Sequence, residues 1–147
     1  MAATRTAEVT WDGDLQTGSG VVERVGSGVF GGLGVSWAAR TETPEGRTSP
    51  EELLAAAHAS CFAMALSGNL ARAGTPPSRL QVTAAVTFDK RDDGWRVTSS
   101  ALTVRGVVPG ATADGFAAAA EGARIGCPIS KALAGNVELS VEATLEG

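Results

Sequence analysis

One long helical segment stands between stretches that alternate apolar with polar residues, and this restricts the chain to an α+β plan. The helical segment marks both of its ends. Ser49 can cap it, Pro50 suits the first helical position, and Glu51 and Glu52 favour the positive end of the dipole. Strong helix formers run from there to Arg72, with Gly68 an interior weak point. Gly74, Pro76 and Pro77 then close the segment. Leu54, Ala57, Cys61 and Ala65 follow the helical stripe, which places Cys61 on the buried side.

Ahead of this helix, residues 6–11, 20–25 and 29–39 read as three strands of an antiparallel meander. Asp12-Gly13-Asp14 and Gly26-Ser27-Gly28 supply the turns. The glycines at 31, 32 and 34 point to a bulge or a close backbone approach in the third strand. Residues 43–50 form a loop. Beyond the helix, Leu80, Val82, Ala84, Val86 and Phe88 alternate with polar residues, residues 89–94 make a charged turn, and 95–104 read as the returning strand. Thr112 or Asp114 can cap an Ala-rich helix that runs to about Arg124. Gly126-Cys127-Pro128 interrupts it, residues 129–133 add a further turn, and 137–145 finish as a strand. The expected fold is α+β, with antiparallel sheets and a central helix carrying Cys61.

Length and charge narrow the function classes. The 147 residues suit one domain, 1–147, with a single core. At 44% hydrophobic and 19% charged the chain is too apolar for a disordered tail. A net charge of −4 argues against nucleic acid as a partner, which would want a basic stripe. No apolar stretch approaches the roughly 18 residues needed to span a bilayer, so no membrane partner is expected. The segment Met1–Trp11 lacks the basic-then-apolar order of a secretory signal, and the expected location is cytoplasmic.

Cys61, Cys127 and His58 make up the cysteine and histidine inventory. They lack the close Cys pair or Cys-His spacing of a zinc site, so no metal is expected. By pattern alone, a cysteine on the apolar stripe of a helix is a small buried hydrophobe. Cys127 differs, because Gly126 and Pro128 flank it at a helix break where backbone geometry is special. Two cysteines on separate elements of a cytoplasmic protein are more often redox-active than structural when they pair. Spacing alone does not say that these two meet.

A reactive thiolate needs a cationic neighbour, since a free thiol has a pKa of ~8.5 and apolar burial raises it. Arginines supply ten of the twelve basic residues. Arg40, in Trp37-Ala-Ala-Arg40 at the end of the third strand, precedes a loop long enough to fold it back over the Cys61 helix. Glu51 can hold its guanidinium by a bidentate contact and aim it. The competing reading leaves Arg40 and Glu51 as solvated surface charges. His58 lies three residues before Cys61 and so near it on the helix. That spacing leaves little room for a substrate carbonyl, so a satisfied, partly buried histidine is expected in place of a catalytic base.

Two stretches carry a family resemblance. Ser49-Pro-Glu-Glu-Leu-Leu-Ala-Ala-Ala-His-Ala-Ser-Cys61-Phe-Ala-Met-Ala-Leu-Ser67 resembles the first cysteine motif of the OsmC/Ohr family of thiol peroxidases. Gly126-Cys127-Pro-Ile-Ser-Lys-Ala-Leu133 resembles the second. Order and separation fit, so the resemblance covers essentially the whole chain. It implies an intertwined homodimer with active sites at the subunit interface, Cys61 as peroxidatic cysteine and Cys127 as resolving cysteine. Glu51 matches the family glutamate that pairs with an arginine leaning toward the thiolate. The organic-hydroperoxide-resistance branch carries that arginine in a Gly-rich amino-terminal loop, but Thr17-Gly-Ser-Gly20 has none. The osmotically inducible branch places it after the third strand, where Arg40 stands.

The resemblance further implies that Cys61 reduces an organic hydroperoxide to an alcohol and becomes a sulfenic acid. Cys127 then condenses with it to a disulfide, which a dithiol donor reopens; a lipoylated protein is among the donors the family allows. Leu54, Phe62, Met64, Trp37 and Phe30 are expected to give an apolar setting suited to organic peroxides over hydrogen peroxide. No cofactor is required. The alternative class is a redox-sensing or apolar-ligand-binding protein that uses the same thiol pair with little turnover.

Overall fold

Turn chemistry organises the first of two units, Met1–Leu53 and Leu54–Gly147, in the computed structural model, which describes all of Met1–Gly147. Strands β1 (Ala7–Asp12), β2 (Ser19–Val25) and β3 (Gly31–Val35) pair antiparallel in the order β1-β2-β3. Asp14 shapes the first connection by accepting from the Thr17 N–H at 2.8 Å and the Thr17 hydroxyl at 2.9 Å. Two of the three glycines of β3 are there for the reason expected. A Cβ on Gly31 would stand 2.5 Å from the Glu23 carbonyl oxygen, and Gly32 has φ of 71°.

The third strand is shorter than expected. It ends at Val35, and Ser36 caps a short helix, α1 (Trp37–Thr41), by accepting from the Ala39 N–H at 3.1 Å. Alternation misled here, because a serine followed by Trp-Ala-Ala-Arg is itself a helix start. Arg40 therefore sits on a helix, not at a strand end. Helix α2 (Pro50–Arg72) begins in this unit with Ser49 as its cap, as expected; its hydroxyl accepts from the Glu52 N–H at 3.1 Å.

The second unit holds the rest of α2 with β4 (Arg79–Arg91), β5 (Gly94–Val107), α3 (Ala113–Gly126), α4 (Pro128–Leu133) and β6 (Glu138–Leu145). Strands β4 and β5 make the expected hairpin, but pairing continues to Arg91 and Gly94 and leaves only Asp92-Asp93 as the turn. Thr112 caps α3, accepting from the Gly115 N–H at 3.0 Å.

One ladder differs in direction from the expectation of antiparallel sheets. β6 pairs parallel with β5, in the order β4-β5-β6. A parallel neighbour requires a long crossover, and α3 with α4 is that crossover. The sheet is mixed.

The core of this unit is built from Phe62, Leu66 and Leu70 of α2, Leu102 and Val104 of β5, and Phe116, Ala120, Ala123 and Cys127 of the crossover. The buried line of α2 runs His58, Phe62, Leu66, Leu70, one residue out of phase with the expected stripe. Ala57 is exposed and Cys61 only partly buried. The large side chains decide the rotation, since burying Phe and Leu removes far more apolar area from water than burying Ala. Small residues also disguised the apolarity of α2. By length and composition alone its 23 residues could cross a membrane, against the expectation that no stretch could.

Gly106 supplies a test of the packing. A Cβ there would stand 2.6 Å from Cζ and 2.7 Å from Cε1 of the buried Phe116 ring. Gly106→Ala is expected to destabilise the protein by about 1–3 kcal/mol through overpacking. Denaturant unfolding checks this; an unchanged midpoint would mean the ring has room to yield.

Candidate active site

Pro128 fixes the conformation of the residue before it. Proline disfavours helical ψ at the preceding position, and Cys127 has ψ of 130°. Its backbone nevertheless belongs to both helices. The Cys127 N–H closes α3 on the Ala123 carbonyl at 2.9 Å, and its carbonyl accepts from Lys131 at 3.0 Å to open α4. Phe116, Ala120, Ala123 and Cys127 follow one helical stripe, so the sulfur enters the core and Cys127 is fully buried.

There it meets Cys61. Both thiols are free, and they are near enough for each to shift the titration of the other. The structure thus joins the two cysteines that the sequence left apart. Their titration differs. Burial pushes the Cys61 thiol up from its ordinary value and the neighbouring Cys127 sulfur adds to the rise, with the Ile129 N–H pulling partly back. Burial also acts to raise Cys127. The neighbouring Cys61 thiol and the polar groups of Ser130 and Ile129 at the start of α4 outweigh it and leave Cys127 lowered. The two thiols are thus pushed in opposite directions, Cys61 up and Cys127 down.

His58 is satisfied, as expected, and fully buried. Its Nδ1 lies 2.6 Å from the Ser100 hydroxyl and its Nε2 lies 2.8 Å from the Ser130 hydroxyl. With both ring nitrogens engaged and burial lowering its pKa, the imidazole is neutral at pH 7. Ser100 and Ser130 had no role in the sequence reading, yet each leaves a signal. Ser100 shares its strand face with Leu102 and Val104, a polar residue at a core position. Ser130 stands three residues after Cys127, where a helix directs its N–H back at the residue before its first turn.

In the first unit, Arg40 and Glu51 form the pair that the sequence proposed. Arg40 Nε donates to Oε1 at 3.0 Å and to Oε2 at 3.1 Å, and Nη2 donates to Oε1 at 2.8 Å. Glu51 is buried, and the guanidinium lies 5.9 Å from the centre of the Trp37 ring. The solvated-charge reading is thereby set aside. Among the residues expected to give an apolar setting, Phe62 is in the core, whereas Met64 is 73% and Phe30 43% exposed.

Comparison with known proteins gives consistent results. A model of the OsmC-like protein family matches residues 43–142. The peroxiredoxin OsmC of Escherichia coli strain K12 is 38% identical over 142 residues, covering 97% of this chain and 98% of its own. The organic hydroperoxide resistance protein OhrA of Bacillus subtilis strain 168 is 35% identical over 105 residues, 70% of this chain and 72% of its own. The crystal structure of the organic hydroperoxide resistance protein OhrB of Bacillus subtilis has the same fold. It superposes with a TM-score of 0.74 at 24% identity, covering 95% of this chain and 98% of that one.

The buried neutral His58 sets a pH dependence. Its folded pKa lies below 6.5, so at falling pH the unfolded chain takes up a proton before the folded one does. Stability is expected to be unaffected by this group above pH 6.5 and to fall below it, by up to about 1.4 kcal/mol per pH unit. Denaturant unfolding of wild type and His58→Gln across this range measures the difference. Equal slopes in the two proteins would refute it.

Proposed function

The chain belongs to the OsmC-like protein family, and on that premise we propose that it is a cysteine-based peroxidase that reduces organic hydroperoxides to alcohols. The observation that carries the reading is the meeting of two free thiols, Cys61 on α2 and Cys127 between α3 and α4. Peroxidase chemistry of this kind needs one sulfur to attack and a second within reach to resolve it.

Cys61 is the attacking residue, because it is the more accessible of the pair. Its thiolate attacks one peroxide oxygen; the O–O bond breaks, two electrons pass from sulfur to oxygen, and the alkoxide takes a proton to leave as ROH. The sulfenic acid that remains condenses with Cys127, forming the S–S bond and releasing water. A dithiol donor, a lipoylated protein among the candidates, then restores both thiols by exchange. Neither a cofactor nor a metal enters these steps.

A thiol whose pKa is raised is a poor nucleophile at neutral pH, so Cys61 needs a cation to favour its thiolate and the developing alkoxide. Arg40 is that cation in this proposal, and Glu51 orients it. The working unit in this proposal is a homodimer, as the resemblance to the family implies. The apolar surface that one chain leaves open, with Met64 73% and Ile125 60% exposed, supports such an association. A cytoplasmic location belongs to the same proposal, and 1–147 acts as a single OsmC-like domain.

The first test gives reduced protein one equivalent of cumene hydroperoxide, quenches it with an alkylating agent and reads the thiols by intact mass. Both thiols are expected to be lost to an intramolecular disulfide, faster than with hydrogen peroxide, and Cys127→Ser is expected to trap oxidised Cys61. Thiols that survive excess peroxide would overturn the reading, and a single oxidation without turnover on a dithiol would replace it with a sensor. Arg40→Met is expected to slow the first oxidation about a hundredfold, the scale of losing a donor to developing negative charge. Glu51→Gln is expected to slow it less.

A further inference from the structure

Arg40 is held by more than the Glu51 carboxylate. Helix α1 has five residues, and it sets Trp37 and Arg40 three positions apart, as neighbours on its surface. Ser36 fixes the start of the turn. Its hydroxyl accepts from the Ala39 N–H at 3.1 Å, and its carbonyl accepts from the Arg40 N–H at 3.1 Å. The Thr41 hydroxyl donates to the Trp37 carbonyl at 2.9 Å and ties the far end of the turn back to its beginning. On this frame Arg40 Cζ lies over the Trp37 ring, 5.9 Å from its centre. Both residues are half-buried.

Carboxylate and ring constrain the guanidinium in different ways. Glu51 takes Nε and Nη2 and so fixes one edge of a planar group. A contact along one edge still lets the plane hinge about that edge, and the indole is a second support that limits the hinge. The two supports also differ in charge. A second carboxylate in place of the indole would hold Arg40 as firmly but would offset the positive charge that the peroxide step needs. The ring attracts the cation through its quadrupole and carries no charge of its own. We infer that Trp37 is a positioning residue that acts through Arg40, holding the guanidinium in the orientation from which it favours the Cys61 thiolate and the developing alkoxide. The inference rests on the peroxidase reading for what Arg40 does in that step.

The experiment measures the first oxidation by cumene hydroperoxide in reduced wild type, Trp37→Leu, Trp37→Phe, Arg40→Met and the double variant Trp37→Leu with Arg40→Met. Quenched-flow mass analysis reads the loss of the Cys61 thiol. Trp37→Leu is expected to slow this step about fivefold, the scale of a cation–π contact that solvent partly reaches. Trp37→Phe, which keeps a ring face, is expected to retain most of the rate. In the Arg40→Met background, Trp37→Leu is expected to slow the step no further, because its effect passes through the guanidinium. A ring that only fills space would lower the melting temperature and slow the step by the same factor with or without Arg40. That result overturns the inference, as does a wild-type rate in Trp37→Leu or equal slowing in Trp37→Leu and Trp37→Phe.

A second readout needs no peroxide. In isotope-labelled protein, nitrogen relaxation of the Arg40 Nε–H group reports how rigidly the guanidinium is held on the picosecond-to-nanosecond scale. Its order parameter is expected to fall in Trp37→Leu and to stay near the wild-type value in Trp37→Phe. An unmoved order parameter in Trp37→Leu overturns the inference. Should wild type resist peroxide altogether, the peroxidase reading fails alone, and the relaxation measurement still decides whether Trp37 holds Arg40.

Discussion

The second unit is arranged around a buried imidazole. His58 lies on α2, Ser100 on β5 and Ser130 on α4, and one ring joins all three through two hydrogen bonds. An apolar contact tolerates rotation and sliding, but a buried polar group left without its partner costs about 1–3 kcal/mol. The ring therefore fixes the rotation of α2 about its axis against both β5 and α4. Cys61 rides on the first of these elements, and Cys127 stands directly before the last. Their meeting follows from that register, and no contact between the sulfurs is needed to enforce it.

Much of the architecture could be read from local rules. Ser49 and Thr112 are capping residues whose side chains do what their positions imply, and the alternation from Leu80 to Phe88 gave the hairpin. What escaped is non-local. The direction of β6 depends on how the crossover returns, and a strand carries the same alternation whether its neighbour runs with it or against it. The phase of α2 escaped for a similar reason. Alanines fill so much of the helix that the stripe through Ala57 and Ala65 and the stripe through Phe62 and Leu66 both look apolar. Only the packed core weighs them by size.

The site divides along the same line. The Arg40–Glu51 pair was visible as a charged strand end and a helix start, because opposite charges placed to meet in a bidentate contact are recognisable by type. Ser100 and Ser130 were not, since serine is common and its chemistry depends on what faces it. Both occupy positions where an apolar residue would be ordinary: the inward face of β5 and the buried side of a short helix. The informative observation in each case is a polar residue inside, not an apolar one.

Cys61 and Cys127 stand far apart in the chain although their sulfurs are neighbours. A covalent link between them would close a loop that takes in all of β4, β5 and α3. Closing so long a loop restricts the unfolded chain far more than the folded one, by about 4 kcal/mol in the chain-entropy model. The oxidised protein would then be the harder of the two to melt. Heat resistance would then report whether that link is closed or open, written into the chain as connectivity.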